Sequence, residues 1–88
     1  MDRASIVILE RTLELATELM PQDDRVADCM DVIRIYLESP DVDSEKPLEH
    51  AVSELLAIAR HNQQFVIATR LQAFIQQRSH VAMSQNGI

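Results

Sequence analysis

Apolar residues along this chain recur at steps of three and four, and no stretch alternates apolar with polar in the manner of a half-buried strand. Steps of that size gather side chains on one side of an α-helix. The spacing predicts four helical segments, at 4–20, 24–38, 45–60 and 63–78. In the first, Ile6, Leu9, Leu13, Ala16 and Met20 form one stripe, and Ile8, Leu15 and Leu19 form a second beside it. The second segment carries Val26, Cys29, Met30, Ile33, Tyr36 and Leu37 on one face. The third has the cleanest stripe: Leu48, Ala51, Val52, Leu55, Leu56 and Ala59. The fourth repeats Phe65, Ala68, Leu71, Phe74 and Ile75.

The breaks between segments have local causes. Pro21 stops the first helix, and Asp23 or Asp24 can cap the second by accepting from free amide groups. Ser39-Pro40 ends the second. Ser44 is the expected N-cap of the third, with Pro47 in the first turn, where its missing amide costs little. The last break has neither proline nor glycine. Asn62 is the residue there that can cap a helix or turn left-handed, and one long kinked helix is the alternative. The pattern lapses from Ser79, so 79–88 is expected to be a mobile tail on a single domain at 1–78. The expected fold class is all-α, a small antiparallel helical bundle or paired helical hairpins.

Length sharpens this picture. Eighty-eight residues suffice for one domain with a thin core. Cys29 is the only cysteine, so no intrachain disulfide reinforces that core. Dimerisation is a common remedy, and a homodimer is expected. The two stripes of the first helix make a wider apolar arc than a hairpin covers. Ile6, Leu9, Leu13, Ala16 and Met20 are therefore the expected dimer or partner interface. No apolar run approaches the ~20 residues that span a bilayer. Residues Met1-Asp2-Arg3 do not open a secretory signal. The expectation is a cytoplasmic protein without membrane attachment.

Charge adds a polarity along the chain. The total is −6, but residues 1–45 carry −8 and residues 46–88 carry +2, with no acid after Glu54. Glu10, Glu14 and Glu18 share one face of the first segment, and Asp24, Asp28 and Asp31 one face of the second. In the acid-free stretch, Arg60, Arg70, Gln77 and Arg78 are the candidate contacts to nucleic acid or to an acidic partner. Gln63, Arg70 and Gln77 step by seven, as residues on one helical face do, and arginine and glutamine can read base edges. A helix-turn-helix over Leu56 to Leu71 fits poorly, because Arg60 and Asn62 fall where such a motif buries its residues.

Candidate chemistry is sparse. His50, Glu54 and His61 step by four and seven, a spacing that suits zinc, but no second cluster completes a site. Asp41, Asp43 and Glu45 alternate as in a calcium loop, without its glycine or its final bidentate acid. Cys29 lies on an apolar face beside Asp28 and Asp31, which raise a thiol pKa when activation requires lowering it. The chain has one glycine, Gly87, and so no phosphate loop or nucleophile elbow. With three aromatic residues it has little material for the walls of a substrate cavity. The reading is not an enzyme, with no cofactor and no metal.

Leu37, the turn from Ser39 to Lys46, then Leu48, Val52 and Leu56, and then Leu71, Phe74 and Ile75 are similar in spacing to a family of small two-helix enterobacterial regulators of biofilm formation and acid resistance. The likeness spans residues 30–76. That family usually has glycine where Pro40 stands here. The resemblance implies a bacterial dimer that connects to two-component response regulators, and it transfers no site residues. The expected function is thus a small regulatory or adaptor protein working through helix-mediated protein contacts as a homodimer. The alternative is a DNA-binding or response-regulator-connector protein that uses the basic C-terminal helix.

Overall fold

A computed structural model describes the backbone of residues 3–86 and the side chains of 3–41 and 43–77. Four α-helices form: α1 (Arg3–Leu19), α2 (Asp24–Glu38), α3 (Glu45–His61) and α4 (Phe65–Asn86). The chain is an all-α helical bundle. Short turns reverse its direction between successive helices. The extensive contacts are α2 with α3, α3 with α4, and α1 with α4, while α1 meets α2 only slightly. The helices therefore stand at four corners, with the α1–α2 seam the least filled.

Each turn is held by identifiable groups. At the end of α1 the amide of Met20 donates to the Ala16 carbonyl at 2.9 Å. Pro21 follows, and the Gln22 side-chain amide folds back to donate to the carbonyls of Thr17 and Met20 at 3.2 and 3.1 Å. Those carbonyls have no partner further along the helix, and Gln22 supplies one. Asp23 caps α2, its Oδ1 accepting from the Val26 amide at 2.9 Å. Ahead of α3, a short 3-10 turn spans Val42–Ser44. Ser44 occupies the N-cap position without a side-chain cap bond. Asp41 acts one turn earlier, its Oδ1 accepting from the Asp43 amide at 3.2 Å and its carbonyl from the Ser44 amide at 3.0 Å.

The break before α4 is a turn of 62–64, so α3 and α4 are two helices and not one kinked rod. Gln64 N–H donates to Ala59 and Gln63 N–H to Arg60, at 2.8 and 3.1 Å. These are the paired bonds of a Schellman cap. Its left-handed position, φ 61°, is held by Gln63. Asn62 stays right-handed at φ −94° and donates its side-chain amide to the Ile58 carbonyl at 2.9 Å. The α4 backbone continues to Asn86, past the predicted end at Arg78. No proline or glycine occurs before Gly87 to stop it. The tail expected to be mobile thus includes eight residues of helical backbone, and the side chains there lie outside the described residues.

The core gathers one face from every helix. All six predicted residues of α3 are buried, as are Val26, Cys29, Met30, Ile33 and Tyr36 of α2, with Leu37 half-buried. In α4 the buried positions are Ile67, Ala68, Leu71 and Phe74. Phe65 was expected among them and instead points outward, 62% exposed. It is the first residue after the turn, and the register that buries Ile67 rotates it away. In α1 the buried line is Ser5, Leu9, Thr12 and Ala16. Two of those four are polar. The Thr12 hydroxyl is satisfied within its own helix, donating to the Ile8 carbonyl at 2.6 Å.

Candidate functional site

The stripe expected to form an interface is largely consumed inside the chain. Leu9, Ala16 and Met20 are buried in the core, Leu13 packs half-buried against it, and Ile6 is half-buried. The outer side of α1, opposite that buried line, is acidic. There Glu10, Glu14 and Glu18 line a groove of about 560 Å³ with Arg11, Leu15 and Arg70.

Among the described residues, the candidate basic positions Arg60 and Arg70 do not share one groove. Gln63 sits in the turn, off the axis of α4, so its step of seven to Arg70 has no helical meaning. Arg70 opens toward the acidic row of α1. Arg60, at the end of α3, donates to Gln72 Oε1 at 3.1 Å and lines a different groove, with Phe65, Ala68, Thr69, Gln72, Ala73 and Gln76. Gln77 is half-buried, and the side chain of Arg78 lies outside the described residues. Phosphate binding gains from cations gathered on one surface, and the two candidates among the described residues, Arg60 and Arg70, line separate grooves.

Between α2 and α3 lies a third groove, of about 480 Å³, lined by Asp28, Cys29, Val32, Lys46, Pro47, His50, Ala51 and Glu54. Glu54, grouped with His50 and His61 by their spacing, turns toward α2. Its Oε1 accepts from Arg25 at 3.0 and 3.2 Å. His61 is exposed at the far end of α3. The helix therefore does not gather those three as ligands, and no group of three or more His, Cys, Asp or Glu among the described residues is placed to hold a metal. The Cys29 thiol is pushed up to about 11, first by burial and then by Glu54, which repels the thiolate and accepts the S–H hydrogen bond. Asp28 adds to the rise and Arg25 opposes it. Sequence reasoning anticipated the direction but named Asp28 and Asp31; the larger contributor crosses from the neighbouring helix.

What the pattern missed is the outer face of α4. Phe65 and Val66 are 62% and 59% exposed. Thr69, Ala73 and Gln76 continue the exposed face with half-buried Gln72, bordering a groove of about 530 Å³. The available signal was the run itself. Phe65-Val66-Ile67-Ala68 has more apolar residues than one side of a helix can bury.

No protein family, no curated protein and no solved structure matches this chain in comparison with known proteins. The residues that carry the likeness to the two-helix regulators have an account in packing. Leu48, Val52, Leu56, Leu71 and Phe74 are core, and Leu37 and Ile75 pack against it. No helix is long and apolar enough to cross a membrane among the described residues.

Proposed function

We propose that this protein is a non-enzymatic regulator or adaptor that works through helix-mediated protein contacts, as a homodimer. The observation that carries the reading is the adjacent exposed pair Phe65 and Val66 at the head of α4, beside a groove walled by Arg60 and Gln72. Aromatic residues and arginine are enriched where proteins meet. A chain with three aromatics that turns one of them to solvent has a surface suited to that use. The non-catalytic part of the reading is supported by Cys29, whose thiol stays protonated at neutral pH and is a weak nucleophile there. The nucleic-acid alternative draws no support from Arg60 and Arg70, which line separate grooves among the described residues.

The test is affinity capture from the native host with the full chain, run in parallel with Phe65→Asp. The partner identified is then reconstituted from purified components and titrated calorimetrically. A partner that binds the native chain and is lost with Phe65→Asp, at unchanged helical content, is the expected result. Equal binding by both forms, or none by either, would sink the reading.

A further inference from the structure

We infer that two copies of this chain meet across the outer face of α4, in antiparallel register, through Phe65, Thr69, Gln72, Ala73 and Gln76. The inference rests on the homodimer in the reading above and names its surface. Charge selects the face. The chain carries −6, so a second copy is repelled on average. Exposed acids stand on each of the other helices: Glu10, Glu14 and Glu18 on α1, Asp24, Asp28 and Asp31 on α2, and Glu49 on α3. The two-fold contact of a homodimer sets a patch against itself. On α1 and α2 such a contact holds several acids on both sides, offset only in part by Arg11 and by the Asp31–Arg34 pair. The α4 face has no acid, and Arg60 at its rim is already bonded to Gln72.

The polar groups on that face also suit a partner identical to itself. A charged group facing its own copy is repelled, whereas an amide or hydroxyl both donates and accepts. Thr69, Gln72 and Gln76 are the polar side chains here besides Arg60. Gln72 Oε1 already accepts from Arg60, so its Nε2 hydrogens remain to donate across the contact. With the two-fold axis between Thr69 and Gln72, antiparallel α4 helices set Thr69 of one copy opposite Gln72 of the other. Phe65 then lies opposite Gln76, with the small side chain of Ala73 one turn away.

The test is sedimentation velocity on the full chain up to about 100 µM, comparing native protein with Ala73→Glu, Thr69→Lys and Leu19→Glu. Ala73 and Thr69 are exposed, so these changes spare the core, and far-ultraviolet circular dichroism verifies the fold. Leu19→Glu adds the same charge as Ala73→Glu at an exposed position on α1. Thr69→Lys reduces the net negative charge, so any weakening it causes is not general repulsion. The expected result is a native dimer weakened about tenfold or more by Ala73→Glu and by Thr69→Lys, each of which buries an unpaired charge, and unchanged by Leu19→Glu. A native dimer that either α4 substitution leaves intact, or that Leu19→Glu weakens equally, overturns the assigned surface and leaves the homodimer standing. A native monomer throughout overturns both.

Discussion

Gln63 holds a backbone conformation that its Cβ disfavours. At φ 61° it is the sole positive-φ residue other than glycine among the described residues, in the position of a Schellman cap where glycine is usual. Left-handed geometry costs a residue with a Cβ roughly 1–2 kcal/mol. Gln63→Gly should therefore raise stability by about 1 kcal/mol, visible as a melting temperature higher by roughly 4–8 °C for a domain of this size. Thermal unfolding checks it, and an unchanged or lower midpoint counts against the strain. Cys29 offers a second reading at this scale. Its folded pKa of about 11 lies above the ordinary 9.0, so the native state holds the proton more tightly than the unfolded chain. The resulting stability is present in full below pH 9 and declines as pH climbs through 11, which denaturant titrations across that window would follow. Glu54→Gln removes the charge that opposes the thiolate. It should lower the pKa and speed alkylation of the folded protein by iodoacetamide several-fold at mildly alkaline pH.

At the scale of elements, α1 and α3 are unequal partners. The inward face of α3 buries Leu48, Val52, Leu55 and Leu56, each worth about 1.5–3 kcal/mol. The inward face of α1 presents Ser5, Leu9, Thr12 and Ala16, of which Leu9 alone is large and apolar. With a slight seam to α2 as well, α1 is the helix held by least. Its amides should exchange hydrogen for deuterium faster than those of α3, and equal protection in mass-resolved exchange would refute the ranking. The same contrast explains what was readable in advance. The α3 stripe was fully legible because every inward residue is apolar. In α1 the inward line is displaced from the apolar pattern by Ser5 and Thr12, polar residues that a pattern of hydrophobes passes over. The break at 62–64 was legible from the lapse in pattern. That the left-handed position falls on Gln63 and not Asn62 depends on where the Schellman bonds close. The candidate surface was the least legible, because Phe65 reads as core until the register of α4 turns Ile67 inward in its place.

For the whole molecule the uneven charge governs association. Two copies at −6 each repel, and the repulsion is screened more strongly as salt rises, with a Debye length of ~10 Å at 0.1 M and ~3 Å at 1 M. A dimer across the acid-free α4 face should therefore tighten with added salt. Nucleic-acid binding would weaken along the same series. Sedimentation over a salt gradient separates the two by the sign of the slope. Tyr36 lies buried in the face of α2 that meets the core, and it is the molecule's one tyrosine, with no tryptophan to mask its emission. The chain thereby carries an intrinsic optical probe confined to α2, while far-ultraviolet circular dichroism sums the helices. In a single cooperative transition the two signals trace one curve. An interval in which helical signal falls while the tyrosine stays shielded would record the departure of α1 ahead of the rest.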